Sequence, residues 1–126
     1  MSRAEAIRTV SVVAGAAVDI YRFVQLQTDG YFDKVGTAQA RMDGVAAQEA
    51  EAAGDVIAMA LPQGIMKVEA GDAVSVGDVI ASDNAGRAIT SVDSGGNFAC
   101  GVALTAATAA GDIIEVLMTG VYERDA

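Results

Sequence analysis

Short apolar runs, broken by glycine-rich turns, set the rhythm of this chain. From Ile113 to Thr119 the residues alternate, with Ile114, Val116 and Met118 on one side of an extended backbone and Ile113, Glu115, Leu117 and Thr119 on the other. Glu115 belongs in water, so the first set is expected to point inward. The same argument turns Ile57, Met59 and Leu61 inward. Further short strands are predicted at about Tyr21–Gln27, Tyr31–Val35, Met42–Ala47, Val56–Leu61, Ile65–Val68, Val79–Ser82, Arg87–Ser91 and Phe98–Leu104. Two alanine-rich stretches, Val45–Ala53 and Thr105–Ala110, lack an apolar stripe at helical spacing and read as short helical turns or ordered loops.

The turns share a device. Gly54-Asp55, Gly71-Asp72, Gly77-Asp78 and Gly111-Asp112 each offer a glycine that tolerates positive φ and a carboxylate that can accept bonds from backbone amides just ahead of it. Each is read as a structural turn. From Ala17 onward the chain is also written twice. Ala17-Val18-Asp19-Ile20 aligns with Ala73-Val74-Ser75-Val76 at an offset of 56, which carries Gly30 onto Gly86. At an offset of 57, Gly44-Val45-Ala46 falls on Gly101-Val102-Ala103 and Gly54-Asp55 on Gly111-Asp112. Tyr21-Arg22 breaks the match, standing where the second copy has Gly77-Asp78. Two copies imply a pseudo-symmetric domain rather than an extended array. The expected fold is therefore mainly β, a small sandwich or barrel of two pseudo-repeats, about 17–70 and 73–126, forming one domain over 17–126. On this reading the stretch Val68–Ala88 is the seam between copies.

Residues 1–16 are expected to form an extended N-terminal arm. The β-branched run Thr9–Val13 favours strand, and it can either fold back onto the domain or add to the sheet edge of a partner.

Composition narrows the functions. The chain has 126 residues, enough for one domain, and its 52% hydrophobic content is rich in alanine and valine, with three Phe, three Tyr and no Trp. That suits thin, close-packed strands better than a large aromatic pocket. The formal charge is −9 and the eight Lys and Arg are scattered singly, so no basic cluster is present to neutralise phosphates or an anionic membrane. The N-terminal sequence has neither the apolar core of a signal peptide nor the length of a membrane span, which predicts synthesis in the cytoplasm.

Candidate chemistry is sparse. With no histidine, the commonest general base and zinc ligand is absent. Cys100 lies in an apolar run and reads as a small buried hydrophobe. The aspartates sit in repeated turns, where capping accounts for them better than a glycosidase carboxylate pair. Asp83-Asn84-Ala85-Gly86 lacks the spaced ligands of a calcium loop, and Ser94-Gly95-Gly96-Asn97 lacks the lysine and helix of a phosphate cradle. No enzyme activity, cofactor or metal is expected. One alternative comes from Met66-Lys67-Val68 followed by two Gly-Asp pairs, which looks like a biotinyl or lipoyl carrier domain. There the modified lysine lies half a domain away from such a pattern, whereas Lys67 abuts it. A small β-barrel adaptor is the remaining alternative.

With the repeat established, the chain resembles the small capsid decoration, or cement, proteins of tailed bacteriophages. The resemblance rests on the run Cys100–Gly120, CGVALTAATAAGDIIEVLMTG, on Ala73–Ala88, and more loosely on Ala17–Gly30. It implies a structural protein of the virion, a homotrimer that sits at local three-fold positions on the outer capsid surface and clips neighbouring copies of the major capsid protein together. On that reading the arm contacts the shell, with Ile7, Val10 and Val12 against it and Arg3 and Arg8 meeting acidic rims.

Overall fold

The structure, a computed structural model, describes residues 8–124. Ten strands follow one another: β1 (Thr9–Val13), β2 (Phe23–Leu26), β3 (Phe32–Lys34), β4 (Gly44–Ala46), β5 (Val56–Ala60), β6 (Gly64–Glu69), β7 (Val79–Ser82), β8 (Ala88–Thr90), β9 (Phe98–Ala103) and β10 (Ile113–Glu123). They pair antiparallel into two five-stranded sheets, ordered β1-β5-β4-β2-β3 and β6-β10-β9-β7-β8. These are the same order written twice, five strands apart. The alanine-rich stretches Val45–Ala53 and Thr105–Ala110 contain no helix: Val45 and Ala46 belong to β4, and the rest is turn and loop held by isolated bridges at Ala50 and Ala107.

Each sheet curls until its two edge strands meet. A parallel bridge joins Ala14 to Phe32 in the first and Ala70 to Ala88 in the second, and antiparallel bridges join Val18 to Ala50 and Val74 to Ala107. Residues at matching offsets therefore make matching bridges. The inner cores match in the same way. Val12, Ala14, Val18, Val24, Ala46, Ala50, Ile57 and Met59 pack together in the first unit, while Val68, Ala70, Val74, Ile80, Ala103, Ala107, Ile114 and Val116 fill the second. In β10 the alternation is as expected: Ile114, Val116 and Met118 are buried, Ile113 and Leu117 exposed. Close approach of neighbouring strands fixes Gly44 and Gly101, since a Cβ at either would run into a carbonyl oxygen of the adjacent strand, that of Ala60 or Leu117.

Two boundaries differ from those read in the sequence. Thr9–Val13 pairs along β5, with Val12 opposite Ile57, so this part of the expected arm folds back and forms an edge of the first sheet. By the same correspondence β1 matches β6, which places the passage between units at Leu61–Gln63 rather than at residues 70–73. The Gly-Asp turns recur within a unit and do not mark its border.

Candidate functional site

Three of the four Gly-Asp pairs share one geometry. Gly54, Gly77 and Gly111 take φ of 94°, 91° and 98°, and the carboxylate that follows reaches back to an amide three or four residues earlier. Asp55 Oδ2 accepts from Glu51 N at 2.8 Å and Ala52 N at 3.2 Å, and Asp78 Oδ2 from Ser75 N at 2.9 Å. Asp112 Oδ2 accepts from Thr108 N at 2.9 Å and Thr108 Oγ1 at 3.1 Å. The Thr108 amide and hydroxyl hold the Asp112 carboxyl below the usual carboxylate range. Gly71-Asp72 departs from the pattern: Asp72 Oδ1 accepts from the adjoining Ala73 N at 2.8 Å, and the Gly71 N–H donates to Ala88 O at 2.8 Å. That bond is the counterpart of Gly15 N to Phe32 O, 2.9 Å, so the pair belongs to the closure of the second sheet.

The break at Tyr21-Arg22 marks the joint between units. Tyr21 adopts φ 68°, the left-handed conformation that Gly77 adopts in the second unit. Outside glycine that conformation costs roughly 1–2 kcal/mol. Both residues keep the same backbone bond, Tyr21 N to Ala46 O and Gly77 N to Ala103 O. Their neighbours diverge. Asp78 caps its own turn, whereas Arg22 reaches across the joint, donating to Ala85 O at 3.0 Å and to the Glu69 carboxylate at 3.3 Å, with Asp19 at 3.4 Å.

Backbone bonds complete the joint: Phe23 N to Gly86 O at 2.7 Å, Gln39 N to Ser82 O at 2.8 Å, Phe98 N to Gln39 O at 2.9 Å and Glu69 N to Tyr21 O at 2.9 Å. The Gln39 side chain adds an accepted bond from Val92 N at 3.0 Å. Phe23, Val35, Met42, Val45 and Ala60 of the first unit thereby pack against the core of the second. Sequence reasoning passed over Gln39. Its signal was the repeat itself, which places it on Gly96, a second left-handed position at φ 86°.

A cleft of about 250 Å³ opens beside this joint, lined by Tyr21 and Val45–Ala47 from one unit and Ile65–Lys67 and Glu115 from the other. Lys67 lies inside β6, opposite Glu115 of β10. It is not at a hairpin tip, where a carrier lysine must stand to reach its ligase. Burial pushes the Cys100 thiol up to about 12, and its Sγ points at Ile80 O, so it carries no nucleophile. Among the described residues no group of three or more His, Cys, Asp or Glu is placed to hold a metal ion. Among the described residues Arg22, Arg41, Arg87 and Arg124 each face a carboxylate, and they form no basic stripe.

Of the residues expected to contact a shell, Arg3 and Ile7 lie outside the described residues. Arg8 is exposed and Val10 is 41% exposed. Val12 is corrected: it is buried in the first core, because pairing with Ile57 turns it inward and leaves it unavailable to a partner.

No curated protein matches the chain. The crystal structure of the head fiber gp8.5 N base of bacteriophage phi29 superimposes on it with a TM-score of 0.71, covering 90% of this chain and 94% of that one at 22% identity, a likeness of fold. The family profile described as phage cement protein matches residues 1–122. With essentially its whole described length inside that profile, the chain belongs to the phage cement protein family and is a capsid-associated structural protein of a phage.

Proposed function

We propose that the protein binds the outer surface of the major capsid protein shell as a homotrimer at local three-fold positions and stabilises it. The family match over residues 1–122 carries this reading. The architecture supports it: two small units locked by backbone bonds and the Arg22–Glu69 pair make a stiff body. A stiff body can hold several weak contacts in register, so a trimer touching several capsid subunits gains from effective concentration. Shell contact is assigned to the segment leading into β1 and the start of that strand, with Arg3, Ile7, Arg8 and Val10.

Cryo-electron microscopy of heads with and without the protein is the test, with added density at three-fold sites expected and its absence decisive against the reading. A variant lacking residues 1–7 keeps β1 intact, so it should fold yet fail to bind heads. Binding at wild-type occupancy would move the contact to another surface.

A further inference from the structure

The joint inside the chain is heterologous. It sets the outer face of the first sheet against the hairpin side of the second unit, and the repeat does not relate these two surfaces to each other. Each therefore has a second version that the chain leaves uncovered. On the first sheet Phe23, Val45 and Ala60 are at most 5% exposed under the second unit. Their counterparts Val79 and Val102 are half-buried, and Leu117 is 37% exposed. Register pairs Ile65 with Leu117, Leu117 with Val102 and Val102 with Val79, an apolar row across β6, β10, β9 and β7. On the hairpin side, Ser82 at the end of β7 and Gly86 in the β7–β8 turn are buried at the joint, while their counterparts, Leu26 at the end of β2 and Gly30 in the β2–β3 turn, are exposed, Leu26 by 45%. Tyr31 beside them is 46% exposed.

We infer that a second copy of this chain covers these surfaces: the outer face of β6-β10-β9-β7 in one molecule receives the β2–β3 hairpin of the next, repeating the internal joint between molecules. The inference rests on the trimer proposed above and gives it an interface, since three copies in this contact would set six units head to tail, an arrangement that closes when the rotation per unit fits. Backbone geometry agrees. Val79 O accepts from Ser91 N at 2.7 Å as Phe23 O accepts from Val35 N at 3.0 Å, so the Val79 N–H points where the neighbour's Gly30 carbonyl would arrive. Three positions are not repeated. Asp78 replaces Arg22, Gly96 replaces Gln39, and Asp29 stands where Ala85 accepts the Arg22 bond. The contact between copies is thus apolar at its centre, has no ion pair, brings two carboxylates near each other, and is strengthened by salt.

Sedimentation equilibrium without capsids tests this. The wild type should associate with rising concentration and end at a trimer, more tightly in high salt. Leu26→Lys and Val102→Lys should each remain monomeric while keeping the wild-type circular dichroism spectrum. An equimolar mixture of the two should stop at a one-to-one heterodimer, because only one competent pair of surfaces remains. Should either variant fold poorly, Tyr31→Lys and Leu117→Lys probe the same two surfaces. Wild-type association by a variant alone, or a monomeric mixture at up to about 1 mM, where even a millimolar contact is populated, overturns this interface and leaves the trimer standing. A monomeric wild type over that range overturns the interface and the trimer together. Shell binding is judged by its own assay.

Discussion

Phe23 and Val79 hold the same position in the two units, yet only Phe23 is enclosed, and truncating each to alanine measures what the joint contributes. Phe23 is fully buried, with the β7–β8 turn resting on its backbone. Phe23→Ala removes a whole ring from a packed site that backbone bonds keep from collapsing, a loss of roughly 3–5 kcal/mol. For a chain of this length one kcal/mol moves the melting temperature by roughly 3–5 °C, so a fall of about 10–25 °C is expected. Val79→Ala removes two methyl groups from a half-exposed site and should cost about 0.5–1 kcal/mol in dilute solution. Calorimetric melts at low protein concentration supply the comparison. At concentrations where the proposed contact between copies forms, Val79→Ala should cost more than it does in dilute solution. Equal costs for Phe23→Ala and Val79→Ala in dilute solution would mean that the second unit does not cover the first sheet as described.

A matched pair of glycines offers an independent measure. Gly86→Ala places a Cβ 2.7 Å from Phe23 O in addition to the strain of φ 77°, whereas Gly30→Ala meets nothing within 4 Å and bears only the strain of φ 88°. Urea denaturation should show Gly30→Ala losing roughly 1–2 kcal/mol and Gly86→Ala clearly more; a reversed order would refute the joint. Asp112 has its pKa lowered in the folded chain by the Thr108 amide and hydroxyl, so its stabilisation is complete above the unfolded aspartate range and is lost as pH falls through the lower folded value. Melts of the wild type and Asp112→Asn should differ near neutrality and converge in strong acid, and a difference that persists there would disprove the assignment. Cys100, buried and with its thiol pushed up to about 12, should resist thiol reagents in the native protein and react at once in denaturant; rapid native labelling would contradict its burial.

Much of this architecture was legible because the two cores must solve the same packing problem. Eight inward positions of one unit recur in the other at offsets of 56 or 57, and small β-branched or alanine residues hold nearly all of them. Alternation in β10 likewise carried its face assignment, since Glu115 could not be turned inward without cost. What the sequence hid was long-range. Thr9–Val13 finds its partner in Val56–Ala60, some way down the chain, and nothing local announces that pairing. The boundary between units carried a weaker mark, the single proline of the chain at Pro62, between β5 and β6. Turn chemistry was the louder signal and lay inside the units, which is why the seam was expected some ten residues too late.

The departures from the repeat are therefore where the two units stop having the same job. Tyr21 keeps a left-handed backbone that glycine would hold without strain, and the cost of roughly 1–2 kcal/mol persists because its neighbour Arg22 and its own carbonyl fasten the second unit. Restoring the pattern with Tyr21→Gly and Arg22→Asp would make each unit locally more regular and the joint weaker. A loose joint would let the two units swing. For a protein whose proposed grip is the sum of several modest contacts, that motion lowers the effective concentration of every contact after the first, and the grip falls by the product of those losses. Stiffness between the copies, more than stability within either, is the property that such a cement needs from its duplicated fold.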